Sequence, residues 1–469
     1  MSVKIDPIQQ DELEIPSVRS PYEGTVLSVW QHLSISAYWF ATNFLWGALL
    51  AIMLPAEMKR LAPYYKAPAL SMMTGMSAIV ALVVPLIAGA LSDRCSSAFG
   101  RRRPYMVVGV LFNLVGLVGM AIAISIAHRI PGSINNHKSI WEVIGLLCSN
   151  PSFLLLLAAF MVVQLGNNIA SAAYSGIIPD LVPADQRGRA SGFMAMLSQL
   201  GTLLGVISVA MILHGQPEFI KYALICFVLV GVACITIFGI RETPLPAAPP
   251  KIDWSRYLRS LWIDPRMYPD FAWVWITRAL VMLGFYAIQP FVNYYLDDVI
   301  HVKNVDSDAG YVIAILLVAS SISGLAGGYI SDRIGRKKVV YIANCLIAIT
   351  SLSFIWCRSL EQVLMAGFLF GLGFGAYVSV DWALGTDVLP SKKDAAKEMA
   401  VWHISMTLPQ SLAAPAAAIL LGFGGMTESI RDDEVVTHYG VSGYTYVFVM
   451  CACFFALGAY LLRNVRSVK

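Results

Sequence analysis

LSDRCSSAFGRRRPYM, residues 91–106, sets one aspartate and four arginines between two long apolar runs. Such a knot of charge in so greasy a chain decides the fold. Of the 469 residues, 57% are hydrophobic and 13% charged, and the mean hydropathy is +0.67. Soluble domains carry about 25% charged residues. Apolar runs of about twenty residues, each enough to cross a hydrocarbon core as a helix, recur along the whole length. The chain reads as an all-α polytopic membrane protein.

Twelve spans are expected, near 32–54, 70–91, 105–127, 152–178, 190–213, 219–240, 270–296, 310–330, 339–357, 362–386, 399–422 and 442–462. The opening stretch lies in the turn after the second of these. Of the 33 Lys and Arg residues, 23 fall in segments that share one side with both termini, nine fall in loops on the other side, and Arg278 lies within a span. Positive charge stays cytoplasmic, so the chain is expected in the cell (plasma or inner) membrane with both termini cytoplasmic. Trp30, Trp39, Trp262, Tyr268 and Tyr294 near span ends fit interfacial belts. The polar start of the chain lacks the short apolar core of a cleavable signal peptide.

The stretch has an echo. GGYISDRIGRKKVVY, residues 327–341, again follows the second span of a set of six, and IIPDLVPADQRGRASG (177–192) and LGTDVLPSKKDAAKEM (384–399) follow the fourth span of each set. The basic, proline-rich segment 241–269 divides the sets. The expected organisation is an N-tail (1–31), a six-helix bundle (32–240), a linker (241–269), a second bundle (270–462) and a C-tail (463–469). The bundles are related by a pseudo-twofold axis along the membrane normal. Glycine permits the sharp turn at Gly100, and the arginines can make charge-assisted bonds to acids ending a neighbouring helix. Asp93, Arg94, Arg101 and Asp180, with Asp332, Arg333, Arg336 and Asp387 in the second set, are candidates for such a gate at the cytoplasmic face.

Other features narrow the function. None of the eight cysteines forms a CxxC pair or a His/Cys cluster, so no metal or redox site is expected. The net charge of +4 is mild and gives no reason to expect nucleic acid as a partner. No GxxxxGK[ST] loop is present, so ATP is not the direct energy source, and no HExxH or GxSxG stretch points to an enzyme. The glycines of GFLFGLGFGAY (367–377) lie within a span and read as close helix packing rather than a nucleotide loop. Pro85, Pro290, Pro409 and Pro415 mark expected kinks.

Polar residues at membrane depth point to a pathway. Gln164, Asn168, Ser171 and Ser175 recur at helical spacing on one face of the fourth span, with Asn167 beside them. The seventh span carries Arg278, Met282, Tyr286, Gln289 and Asn293 in the same way. Trp39, Asn43 and Trp46 lie in the first, Ser198, Gln199 and Thr202 in the fifth, and His403, Thr407, Gln410 and Ser411 in the eleventh. Amides and hydroxyls suit a neutral, hydroxyl-rich solute, and aromatic faces can stack on a sugar ring. Polar residues also bind membrane helices to one another, so the stripes carry weight as a set. Asp381 and Arg278 both fall toward the cytoplasmic ends of their spans and can pair. Asp381 is the candidate proton acceptor with Arg278 as its counter-charge, and a permanent structural pair remains the alternative. His403 is a candidate for either a proton relay or a packing role.

The motif D-R-x-G-R-[RK] after the second span, repeated after the eighth, resembles the signature loop of the major facilitator superfamily. The longer first copy, SDRCSSAFGRRRPY, resembles that of sucrose transporters and the related glycoside–pentoside–hexuronide carriers. VVQLGNNIASAAYSGIIPDL (162–181) and NFLWGALLAIMLP (43–55) are similar to stretches of their fourth and first helices. In that family an aspartate implicated in proton and sugar binding stands where this chain has Gln164, which carries no proton, and an arginine stands at Ser175. The resemblance implies proton symport of a disaccharide-like glycoside by a monomer in the lipid bilayer, with helices 1, 4, 7 and 10 lining the cavity, no cofactor, and sodium as the other coupling ion. Export of an amphipathic compound or drug, and a sugar sensor that does not transport, are the alternatives.

Overall fold

A computed structural model describes residues 20–131, 140–183, 186–244, 253–255, 263–388, 395–431 and 434–466. Among these, twelve helices are long and apolar enough to cross a membrane. We number them α1 (Val29–Leu61), α2 (Pro63–Asp93), α3 (Arg103–Ser125), α4 (Pro151–Ser175), α5 (Arg187–Ile207), α6 (Glu218–Gly239), α7 (Pro269–Ile300), α8 (Val305–Ile334), α9 (Arg336–Trp356), α10 (Leu360–Asp387), α11 (Ala395–Phe423) and α12 (Val441–Leu461). They form two six-helix halves, α1–α6 and α7–α12. Both described chain ends lie on one face, called terminal here, and the opposite face is called distal.

The helices are apolar on both sides. On α3, Gly109, Asn113, Gly116 and Met120 turn inward, while Leu111, Val115, Val118 and Ile122, at the same spacing, are exposed. A soluble helix would carry charge on that outer face. With lipid outside, apolar area gives little drive for helices to associate, so close approach does the work. A Cβ on Gly109 would stand 2.5 Å from the Gly166 carbonyl, and one on Gly116 2.6 Å from Val163, which fixes α3 against α4. A Cβ on Gly47 would meet the Thr202 carbonyl at 2.6 Å, so α1 and α5 also cross nearly backbone to backbone. In the glycine-rich run of α10, a Cβ on Gly373 would meet Ile347 of α9 at 2.7 Å, and Gly375 has α8 against it. These glycines serve packing, as expected.

Three departures matter for function. First, α1 and α7 run past their expected ends, to Leu61 and Ile300, and α2 begins at Pro63. Residues expected in distal loops are therefore helical. Second, several helices contain irregular turns. Leu49–Met53 of α1, Ser208–Ile212 continuing α5, and Leu296–Ile300 of α7 form wide π-turns, while Gln289–Phe291 around Pro290 is a tight 3-10 turn. The wide turn of α1 packs on that of α5 and on the 3-10 turn of α7. Pro85, Pro409 and Pro415 sit inside helices that continue through them. Third, a hairpin of β1 (Met426–Arg431) and β2 (Glu434–Tyr439), in antiparallel register from Met426–Tyr439 to Arg431–Glu434, joins α11 to α12 on the distal face.

Two expected belt residues are displaced: Tyr294 is buried, and Trp39 packs edge-on against Tyr174, whereas Trp30 and Tyr268 are exposed at helix starts. Trp262 lies outside the described residues.

Candidate functional site

The Arg278–Asp381 pair forms. Arg278 Nη1 stands 2.7 Å from Asp381 Oδ2, and both side chains are buried. Tyr377, one turn earlier on α10, donates to Asp381 Oδ1 at 3.0 Å. The guanidinium lies 4.7 Å from the Trp402 ring and 3.8 Å from the Met406 sulfur, both on α11. A cation, its carboxylate, a hydroxyl and an aromatic face thus close on one another across α7, α10 and α11. Moving two charges out of water costs several kcal/mol per ion, and only this close geometry offsets it. His403, beside Trp402, is near enough to feel the Arg278 charge.

About three to four turns distal on α7, Gln289 and Asn293 hold buried amide atoms without hydrogen-bond partners among the described residues: Oε1 of Gln289, and both Oδ1 and Nδ2 of Asn293. Buried amides are almost always satisfied, and a pair left unsatisfied on one helix face marks a place for a polar guest or water. Tyr286 lies between these amides and Arg278, stacked edge-on with Phe285. The neighbouring cavity is mostly apolar, walled by Phe285, Gln289, Tyr295, Leu316, Phe370 and Phe448, and its volume is about 920 Å³ including open solvent.

On the other half the expected stripe is present, but its bonds stay local. Asn168 Nδ2 donates to the Gln164 carbonyl at 2.8 Å and to Gln164 Oε1 at 3.3 Å, and Asn43 Nδ2 donates to the Trp39 carbonyl at 2.8 Å. Asn167 is buried, Gln199 is half-buried, and Trp46 packs edge-on against Phe160.

The opening stretch folds into a charge cluster whose hub is Arg102 rather than Arg94. Arg102 pairs with Asp93, donates from Nε to Asp180 at 3.0 Å and from Nη1 to Ser92 at 2.7 Å, and its backbone N–H meets Glu242 at 2.9 Å. Arg101 adds a 2.6 Å contact to Asp180. Burial opposes the Arg102 charge, but Asp93 and Asp180 outweigh it and hold the guanidinium above its ordinary pKa. Burial likewise pushes the Glu242 carboxyl up, against the Arg102 N–H and the Arg103 and Arg102 charges. Arg94, which caps the C-terminus of α2, makes no such pair among the described residues. In the second copy, Arg333 stacks on Tyr329 of its own helix at 4.4 Å, and Arg336 opens α9 partly buried. The side chains of Asp332 and Asp387 lie outside the described ones. The pairs around Arg102 tie α2, the start of α3 and the segment after α4 to the segment after α6, so they brace one half.

Among the described residues, the bonds that cross between the halves lie toward the distal face. Lys59 of α1 pairs with Asp297 of α7. Lys66 of α2, fully buried, meets Asp298 of α7 at 2.8 Å and the Thr437 carbonyl of β2 at 2.8 Å, and lies 4.9 Å and 5.3 Å from the Tyr294 and Tyr439 rings. Asp298 also accepts from the Tyr439 N–H at 3.0 Å and the Tyr444 hydroxyl at 2.7 Å, with His438 Nδ1 at 3.1 Å. Tyr294 donates to the Pro55 carbonyl at 3.0 Å, and Ser71 to the Ala414 carbonyl at 3.0 Å. Asp297, Asp298 and His438 lie close enough to hold a cation. Two lysines already neutralise these aspartates, so the cluster reads as a seam rather than a metal site. Sequence reasoning missed it because Lys59, Lys66, Asp297 and Asp298 fell in expected loops. The doublet in YYLDDVI (294–300), flanked by aromatic and apolar residues, was the available signal.

The sequence profile of the Major Facilitator Superfamily matches residues 32–392 and 296–469. The chain belongs to this superfamily. Its members are membrane transporters of small molecules, and the twelve spans, the paired halves and the repeated loop are those of a major facilitator. Among curated relatives, the chain is 26% identical over 127 residues to the sucrose transport protein SUC3 of Arabidopsis thaliana, covering 27% of this chain and 20% of that one. It is 26% identical over 219 residues to the multidrug resistance protein MdtG of Salmonella paratyphi C, covering 45% and 52%. The matches therefore span between a fifth and about half of those relatives' own length. The D-xylose-proton symporter structure superposes with a TM-score of 0.67 at 15% identity, over 94% of this chain and 99% of that one. The nucleoside transporter NupG superposes with a TM-score of 0.62 at 11% identity, over 93% and 98%. At these identities the superpositions establish the fold alone.

Proposed function

We propose that this major facilitator is a proton-coupled symporter of a neutral, hydroxyl-rich solute of the disaccharide-like glycoside class. It works as a monomer, by rocker-switch alternating access, in the plasma or inner membrane with both termini cytoplasmic. The observation that carries the reading is the buried Arg278–Asp381 pair. Protonation of Asp381 cancels its charge and leaves Arg278 without its counter-ion, so a solute hydroxyl can take the guanidinium's donors; loss of the proton restores the pair and expels the guest. Gln289, Asn293 and Tyr286 are the α7 groups for orienting the solute, with Asn43, Trp46, Gln164, Asn167, Asn168 and Gln199 on the facing half. SUC3 and the xylose symporter are consistent with this reading.

The test is uptake into proteoliposomes under an inward proton gradient, across a panel of labelled glycosides, with a sodium gradient as the second condition. One compound is expected to accumulate and to be released by a protonophore. Asp381→Asn should abolish accumulation while leaving exchange of labelled for unlabelled solute. Accumulation that survives Asp381→Asn removes the coupling role.

A second reading, export of an amphipathic compound, is favoured by the mostly apolar cavity beside α7 and by the likeness to MdtG. Flat traces for every sugar, together with proton-driven extrusion of a lipophilic dye, would replace the first reading with this one.

A further inference from the structure

The distal end of α1 holds a carboxyl that the coupling scheme above does not use. Glu57 is 1% exposed. Tyr222 of α6 donates to its Oε1 at 2.5 Å, and its Oε2 has no hydrogen-bond partner among the described residues. An ionised carboxylate presents about four acceptor sites and in a dry setting needs several donors or a cation. Glu57 has one tyrosine.

The nearby cations are engaged elsewhere. Arg60 Nη1 lies 2.6 Å from Glu218 Oε1, and Lys221 Nζ lies 3.1 Å from the same oxygen. On α1 and α6, the charged or titratable groups facing Glu57 are therefore Arg60, Glu218, Lys221 and Tyr222. On the other side of this turn, α2 and α7 present Lys66, Asp297 and Asp298, which pair with one another and with Lys59.

The position of Glu57 ties it to the seam. Two residues before it, the Pro55 carbonyl accepts from Tyr294 of α7; two residues after it, Lys59 pairs with Asp297 of α7. When the distal face opens, both attachments must part, and the turn of α1 that carries Glu57 meets water.

We propose that Glu57 is a proton-binding group of the transport cycle, protonated while the distal face is closed and emptied when that face opens. Its part in the cycle rests on the transporter reading above; proton binding at Glu57 itself does not. The neutral carboxyl places its proton on Oε2 or shares it with the Tyr222 hydroxyl, and on opening passes it to distal water.

The experiment needs no transported solute. Full-length protein in lipid nanodiscs is titrated with acid and base, and infrared difference spectra are read for the C=O stretch of a protonated, dry carboxyl. The band is expected in the parent at neutral pH, absent in the near-isosteric Glu57→Gln, shifted in Tyr222→Phe, and retained in Asp381→Asn. A Glu57→Gln spectrum identical to the parent's overturns the proposal, as does a Tyr222→Phe spectrum with no shift. The link to the seam has its own arm: Asp298→Ala, which breaks the distal ion pair, should lose the Glu57 band at neutral pH. Persistence of the band in that variant, with spin labels showing the distal face open, overturns the link. Failure of every transport assay with the band behaviour intact would count against the transporter reading and not against the proton site.

Discussion

Asp298→Ala is the sharpest probe of the distal seam. The side chain joins Lys66 of one half to α7, β2 and α12 of the other through Lys66, the Tyr439 N–H, Tyr444 and His438. Truncating it leaves Lys66 buried with the Thr437 carbonyl and two aromatic rings, and with a neighbouring Asp297 that is already paired with Lys59. Removing one partner of a buried pair costs about 3–5 kcal/mol. Because Lys66 and Asp298 sit in opposite halves, that cost falls on the distally closed state. At about 1.4 kcal/mol per factor of ten, the closed-to-open ratio drops by a factor of at least about 100. Spin labels at Gln216, in the distal loop before α6, and Glu361, in the first turn of α10, both exposed, report the change by double electron–electron resonance. The expected result is a shift of the population to longer distances. Replacing both partners, Lys66→Met with Asp298→Leu, removes the stranded charge and should return the distribution to the parent's, since apolar replacements of buried pairs are often neutral. An unchanged distribution in folded Asp298→Ala refutes the argument, and so does a double variant as open as the single one.

Two further outcomes test the opposite face. Arg102→Ala should cost about 2–3 kcal/mol, the worth of a charge-assisted hydrogen bond, and Arg102→Lys should recover only part of it, because an ammonium lacks the fork that spans Asp93 and Asp180; thermal unfolding in detergent ranks the three proteins. Glu242, whose pKa burial raises, contributes stability that is fully present below its unfolded pKa and fades as pH rises through its folded one. Glu242→Gln keeps an acceptor for the Arg102 N–H without the charge, so its stability at neutral pH should match or exceed the parent's and should lose that acid-side gain; a parallel pH profile would refute this.

The helical architecture was legible because bilayer thickness imposes run lengths that few other forces produce. The repeated SDR…GR loop revealed the two halves for a similar reason: a charged hairpin between apolar runs has few alternatives. Arg278 and Asp381 could be singled out because a charge in a span is rare. The choice among the arginines of the opening stretch could not be read, since Arg94, Arg101, Arg102 and Arg103 are chemically alike and only the turn at Gly100 selects Arg102. The distal seam was hidden by hydropathy itself: Lys59, Lys66 and the Asp297–Asp298 doublet lower the local average, and so read as loop, although partner charges from the other half let the helices continue. The β1–β2 hairpin left little trace because its polar residues form a short ribbon resting on other elements. Gly201 and Gly205, four apart in α5, are the visible sign of the close crossing with α1, where a Cβ on either would stand 2.3 Å from the Phe40 or Phe44 carbonyl.

The irregular turn of α1 touches those of α5 and α7 just beneath the seam. Each interrupts a helix that would otherwise behave as a stiff rod. In a rocker switch this layer is where the two halves bear on each other, so the tips beyond it part when the distal face opens. A cross-link that staples those tips together should then hold the distal face shut and leave the terminal face accessible.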